Sequence, residues 1–336
     1  MLPEELRPPF WQFFSNIDSH LSRGVRFRRN SDERGVTNNL LWCLDAEAEE
    51  APPGLETSFA DLRTAVAEIA GDDFPISLTF QAEEYSQQFE GNVSQADYVF
   101  DISFADTSKD ISAPEYCWAS TYFMQSKVAA RKREKWPEGA TFSRTAGQPD
   151  AIRDLRKLMG NSGVFYHLYC PNRALELAPR ANLLQTLMAQ DTSDQYWHHH
   201  REAGLWLNPL FPSSLNQLFR KPYNRPIPWS TFVMAHFFDA ITPDGNTIET
   251  DKFYDAAQEE YRFRRALFNR ERWAVDQAID AREERAGKKI IRHQAYYQRD
   301  TGSMISIGVE FPTLDFERRF QPKPDPDTGQ KSTFKK

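Results

Sequence analysis

Gln95-Ala96-Asp97-Tyr98-Val99-Phe100-Asp101-Ile102-Ser103-Phe104 and, further on, Trp118-Ala119-Ser120-Thr121-Tyr122-Phe123-Met124-Gln125-Ser126-Lys127 are the two runs on which the reading of this chain turns. Both are dense in aromatic and β-branched residues and neither contains proline, so both read as strands. The connection at 105–115 is polar, with Lys109-Asp110 and Pro114, as the loop of a hairpin would be. The first strand carries an acid at its mouth, Asp97, and the second a lysine, Lys127, two residues after Gln125. Pairing the strands makes a compact place to hold a divalent metal.

Working outward, the pattern before the hairpin is helix, helix, helix, strand. Phe10, Phe13, Phe14, Ile17 and Leu21 recur at helical spacing, and the helix is expected to stop near Gly24. Ser31 or Asp32 can cap a second helix that turns Leu40, Leu41 and Leu44 toward a core. Glu33 then lies in its first turn, where the helix dipole already favours a carboxylate; that alone explains its place there. Residues 46–54 form an acidic loop, 56–70 a third helix, and 75–83 a strand alternating Ile76, Leu78 and Phe80 with polar residues.

After Lys127 comes a basic loop, and Pro149 opens a helix ending at Gly160. The apolar run Val164-Phe165-Tyr166-His167-Leu168-Tyr169-Cys170 suggests a crossover back into the same sheet. Residues 183–189 read as helix and 191–230 as an irregular excursion. The continuous apolar run at 228–238 fits either strand or helix. Residues 252–285 give the longest helical pattern, 290–298 and 303–311 a terminal hairpin, and the tail from Gln321 disorder.

With 336 residues, 40% of them hydrophobic and 13% aromatic, the chain can bury a substantial core. No apolar run approaches the roughly 18 residues of a membrane-crossing helix, and the N-terminus lacks a signal-peptide pattern. Cys43, Cys117 and Cys170 are odd in number, far apart and in apolar surroundings, which points to free thiols in a reducing cytoplasm. The net charge of −7 excludes a protein that grips nucleic acid with its whole surface. Local charge differs. Lys127, Arg131, Lys132, Arg133 and Lys135 face a single Glu134, and Arg23, Arg26, Arg28 and Arg29 form a second cluster, as local phosphate contact or a solvated surface would have it. There is no Gly-rich phosphate loop, no G-x-S-x-G elbow and no H-E-x-x-H pair. His198-His199-His200 invites a metal reading, but consecutive side chains diverge, so a surface or base-stacking role fits better.

An acid on one strand, Q-x-K on the next, then a helix and an apolar strand resembles the restriction-endonuclease-like PD-(D/E)xK nuclease superfamily. More narrowly, the chain is similar to a bacterial, Q-x-K branch of it. The matching pieces are Glu33-Arg34-Gly35-Val36-Thr37, Gln95-Ala96-Asp97, Gln125-Ser126-Lys127, Gln148-Pro149-Asp150-Ala151-Ile152, the strand from Val164 to Tyr169, and Pro228-Trp229. They span roughly residues 10–240 in the right order. The departures are Gln95-Ala96-Asp97 without the usual glycine, Ser126 where alanine is usual, and Pro149 directly after Gln148.

The resemblance implies an α/β fold, a central mixed β-sheet flanked by helices, within residues 1–240; beyond it the residue patterns read as a helical extension with a terminal hairpin at 241–320 and a disordered tail at 321–336. It implies a Mg²⁺-dependent (or Mn²⁺-dependent) endonuclease acting on DNA in bacterial defence against phage, with a defence-system protein as a further partner. Asp97 would be the central metal ligand, Glu33 a second, and Gln125 a weaker uncharged one in place of the usual acid. Lys127 would hold the attacking water or neutralise phosphate charge, and Gln148 would position water or the scissile strand. Asp101, on the same strand face, rivals Asp97. Arg131, Lys132, Arg133 and Lys135, with Arg262, Arg264 and Arg265, would grip phosphates. Two other readings stay open: a binding or scaffold subunit that keeps the fold without the chemistry, and an RNA-cleaving enzyme.

Overall fold

In a computed structural model, the described residues are 2–27, 32–48, 50–71, 74–83, 96–108, 117–131, 136–144, 149, 152–153, 156, 163–178, 201–220, 226–238 and 304–313. Helices α1 (Arg7–Phe27), α2 (Glu33–Leu44) and α3 (Phe59–Ala70) precede β1 (Ser77–Glu83). Then come β2 (Tyr98–Asp106), β3 (Cys117–Val128), β4 (Val164–Tyr169), β5 (Leu205–Asn208), α4 (Leu215–Leu218), β6 (Ile227–Pro228), α5 (Trp229–Phe237) and β7 (Met304–Phe311). The architecture is α/β: one mixed seven-stranded sheet, in the order β1-β7-β2-β3-β4-β5-β6, with flanking helices.

Strand alternation divides the core in two. Tyr98, Phe100, Ile102 and Phe104 of β2 share one side with Tyr122 and Met124 of β3, and with Ile305, Ile307 and Val309 of β7. Against them pack Phe10, Phe13 and Phe14 of α1, Leu40 and Leu44 of α2, and Trp229 and Phe232 of α5. The intervening residues Val99, Phe123, Val164, Tyr166, Leu168 and Trp206 belong to the second core, closed by Phe142, Leu175, Leu215 and Phe219. Period-two sequence thus feeds both faces of the sheet.

Local chemistry fixes the helix starts. Asp32 caps α2 by accepting the Gly35 N–H, and Ser58 with Asp61 forms a capping box on α3. The first helix runs through Gly24 to Phe27, because Leu21 and Val25 are both buried and tertiary packing outweighs the small helical penalty of one glycine. The 228–238 run resolves into the short edge strand β6 followed by α5, a helix buried on nearly every side and therefore without a readable period.

Two expectations are corrected. Residues 191–230 were expected to be irregular, yet Leu205–Asn208 is a fully buried strand pairing antiparallel with β4. Four residues buried on both faces leave no alternation to detect. The stretch 303–311 was expected to form a terminal hairpin with 290–298. Instead β7 pairs antiparallel with β1 and parallel with β2, so both its edges are taken and no hairpin partner can attach. Part of the region assigned to an extension at 241–320 is thus an inner strand of the sheet. Residues 290–298, the helices expected at 183–189 and 252–285, and the tail from 321 lie outside the described residues; of the 149–159 helix only 149, 152–153 and 156 are described.

A buried carboxylate locks α1 to the start of β5. Asp18 accepts N–H bonds from Gly204 (2.8 Å) and Leu205 (3.2 Å). Burial raises its pKa from 3.8 to about 7, against the opposing pull of the N–H bonds from Gly204 and Leu205 and of the Ser22 hydroxyl. Because the folded state holds the proton more tightly, this contribution to stability is complete below about pH 4 and is lost as pH rises through 7. Asp18→Asn removes that titration. In chemical denaturation, the stability of the parent relative to Asp18→Asn is expected to fall by roughly 3 kcal/mol between about pH 5 and pH 8; parallel pH profiles would refute the assignment.

Candidate functional site

Strand pairing builds the site. The β2–β3 register matches Tyr98 with Met124, and the Asp97 N–H donates to the Met124 carbonyl at 2.9 Å, so Asp97 sits one step beyond, beside Gln125. Its Oδ2 accepts the Gln125 side-chain N–H and the Ser126 backbone N–H, both at 2.5 Å. Lys127 follows Gln125 by two residues and shares its strand side. Its Nζ lies 2.7 Å from Oε2 of Glu33, the first residue of α2.

The second helix is placed so that this ion pair can form. Asp32 closes its N-terminus on the Gly35 N–H at 2.5 Å, and a Cβ on Gly35 would stand only 2.9 Å from Asp32 Oδ1. Thr37, one turn after Glu33, is buried against β3 and β4: its Oγ1 lies 3.2 Å from Ser126 Oγ and 2.9 Å from the Tyr169 hydroxyl. The helix is thereby pinned over the strand that carries Gln125 and Lys127.

Burial is uneven. Lys127 is 1% exposed and Gln125 4%, while the Glu33 side chain keeps 34% of its surface and Asp97 is partly open. The carboxylates are therefore the accessible edge and the lysine stem is the floor. Burial pushes the Tyr169 hydroxyl far above the ordinary tyrosine value; bonds from Ser126 and Thr37 oppose this, and the negative fields of Asp97 and Glu33 add to it.

The remaining expectations divide by position. Asp101 pairs with Thr121, four residues along β2 from Asp97, or roughly 13 Å at strand rise. That is away from Gln125 and Lys127. Asp106 accepts from Ser108 and from the Thr313 N–H, closing the end of β2 onto the turn after β7. Arg131 is partly buried just after β3. Gln95, Lys132, Arg133, Lys135, Gln148, Arg28, Arg29, His198–His200, Arg262, Arg264 and Arg265 lie outside the described residues.

Tyr166, in the strand that the resemblance covers, and three side chains that the sequence did not flag complete the neighbourhood. Tyr166 of β4 is the register partner of Gln125. The Arg156 guanidinium stands 6.0 Å over the Tyr166 ring, and Arg144 stands 5.7 Å over Phe211, itself edge-on to Tyr166 at 5.3 Å. Arg156 also donates to the carbonyls of Val164 and Pro209. Positive charge thus flanks the candidate site on the β4 side, from residues with no shared motif. His167, in contrast, is enclosed: Nδ1 meets the Tyr98 hydroxyl at 2.5 Å, and burial lowers its pKa to about 3. It stays neutral at physiological pH and is a core group, not a proton carrier.

Asp97, Glu33 and Gln125 would offer two carboxylates and an amide oxygen, all hard donors. That fits Mg²⁺, which is held by one or two carboxylates and retains waters, and it does not fit zinc. Among the described residues no group of three or more His, Cys, Asp and Glu side chains could hold a metal ion. None of their helices is long and apolar enough to cross a membrane.

No family model, curated protein or solved structure matches the chain.

Proposed function

We propose that this chain is a cytoplasmic, Mg²⁺- or Mn²⁺-dependent endonuclease that hydrolyses DNA phosphodiester bonds in bacterial defence, on a restriction-endonuclease-like sheet. One observation carries the reading. Asp97 is seated against Gln125, and Lys127, on the same strand side, holds Glu33 from a separate helix. Three segments remote in sequence thus bring acid, amide and amine to one end of β3.

Asp97 and Glu33, with the amide oxygen of Gln125, would hold the cation. A divalent ion there supplies Lewis acidity toward a phosphoryl oxygen and lowers the pKa of water. Lys127 has three N–H donors and directs one to Glu33, so its ammonium can also meet charge that develops on the phosphate. Ser126 and Gln125 orient the Asp97 carboxylate by donating to Oδ2. Arg144 and Arg156 supply cationic surface beside the site for the polyanion.

A second reading, a binding subunit that keeps the fold without the chemistry, is favoured by the deep burial of Gln125 and by its amide facing Asp97 rather than a second acid. Purified protein incubated with plasmid DNA and with RNA of matched length, with Mg²⁺ and with chelator, separates the readings. The endonuclease reading expects chelator-sensitive DNA cleavage, reduced at least about 10²-fold in Asp97→Asn. Cleavage of RNA alone would transfer the activity to RNA. Failure to cut either substrate, with no Mn²⁺ binding that depends on Asp97, would leave the binding subunit.

A further inference from the structure

The two carboxylates of the candidate site share a support behind the strand. Thr37 Oγ1 donates to the Glu33 carbonyl at 2.9 Å, one turn back along α2. Its only proton is thereby committed, so at the 2.9 Å contact with Tyr169 the phenol is the donor. The Tyr169 oxygen is then left to accept, and Ser126 Oγ donates to it at 3.3 Å. The third side of this triangle, Ser126 to Thr37 at 3.2 Å, draws on the same serine proton. One directional chain results: Ser126 to Tyr169 to Thr37 to the backbone of Glu33. At its other end the backbone N–H of Ser126 donates to Asp97 Oδ2.

Burial gives the chain its stiffness. Tyr169 and Ser126 are 0% exposed and Thr37 is 4% exposed, so water cannot substitute for a missing partner. Each hydroxyl comes from a different element, α2, β3 or β4, and these are also the elements that carry Glu33, Lys127 and Tyr166. A hydrophobic interface alone would let α2 slide or rotate slightly about its axis. A closed triangle of hydroxyls allows one rotation of α2 against β3, and with it one position of the Glu33 carboxylate against Lys127.

We infer that Ser126, Tyr169 and Thr37 are positioning residues, a relay of hydroxyls that sets Glu33 and Asp97 in register with each other from the protected side of the sheet. This deepens the nuclease reading and rests on it for its catalytic consequence, but not for its structural one. Serine at position 126 is then functional: its backbone serves one carboxylate and its side chain the other. Such outer groups act by holding the groups that touch substrate, and their loss shows as lost turnover rather than lost binding.

The test uses full-length Tyr169→Phe and Thr37→Val, with Thr37→Ser as the variant that keeps the hydroxyl. Tyr122→Phe is the control: it deletes another buried phenol bond, to His236 at 2.7 Å, away from the site. Amide hydrogen exchange is followed over residues 33–37, together with Mg²⁺-dependent DNA cleavage. Tyr169→Phe and Thr37→Val are expected to speed exchange in the first turn of α2 about 5-fold, and to lower kcat roughly 10-fold with KM little changed. Thr37→Ser should restore both, and Tyr122→Phe should change neither. Unchanged exchange at 33–37 in both relay variants, or equal effects from Tyr122→Phe, would overturn the inference. If the parent itself cuts no nucleic acid, the nuclease reading fails while the exchange result still decides the relay.

Discussion

Lys127→Met is expected to lower the rate of Mg²⁺-dependent DNA cleavage about 10³-fold, with the protein still folded. The lysine is 1% exposed, so a residue of similar length without charge is needed to keep the packing of its stem. What disappears is the ammonium that faces Glu33 at 2.7 Å and, by the proposal, the phosphate. Glu33 keeps a third of its side-chain surface in solvent, so losing its partner leaves a hydrated carboxylate rather than an isolated buried charge. Lys127→Ala should lose the same activity and more stability, because it also opens a cavity. Steady-state cleavage with thermal denaturation checks both; a methionine variant that cuts at the parental rate would remove Lys127 from the mechanism.

The largest effect on stability is expected at Gly204. A Cβ there would stand 2.2 Å from the Ser22 Cβ and 2.7 Å from the Cys170 carbonyl oxygen, and the second of these is backbone just past β4, tied to Gly204 by the bond from the Cys170 N–H to the Gly204 carbonyl. The Gly204 N–H also donates to the buried Asp18 carboxylate, so the backbone cannot retreat without giving up that bond. Gly204→Ala is expected to cost about 3 kcal/mol or more, a fall in Tm of roughly 4 °C or more for a chain of this size. Adding Ser22→Gly should recover only part of the loss, since the carbonyl contact remains. A Gly204→Ala protein that melts within about 2 °C of the parent would show that α1 and β5 are less closely packed than described.

Much of the candidate site was legible because its signals are local. The density of aromatic and β-branched residues in 95–104 and 118–127 marked two strands, and a short polar connection made them a hairpin. Which residue sits opposite which is fixed only by the observed register, Tyr98 with Met124, which seats Asp97 beside Gln125. The capping signal at Ser31 or Asp32 put Glu33 in the first turn of α2, and Asp32 is the residue that caps it. The ion pair was not legible: no local pattern says that a capped helix will lay its first carboxylate on a lysine far along the chain. The same holds for Arg144 and Arg156, which reach the Tyr166–Phe211 pair from separate segments. Leu205–Asn208 was missed because four residues buried on both faces have no period; 303–311 was legible as a strand, but not its partners, which lie about two hundred residues before it.

The position of β7 has a consequence for how the chain is made. Residues 304–311 emerge from the ribosome long after β1 and β2, yet they are the wedge between those strands. Until then β1 has none of its strand pairing, and one edge of β2 is bare. Folding of this sheet must wait for a closure of very long range, and the nascent chain carries open hydrogen-bonding edges throughout the delay. A ribosome-bound intermediate of this protein is therefore a natural client for chaperones that shield unpaired strands, until residues 304–311 have emerged to complete the sheet.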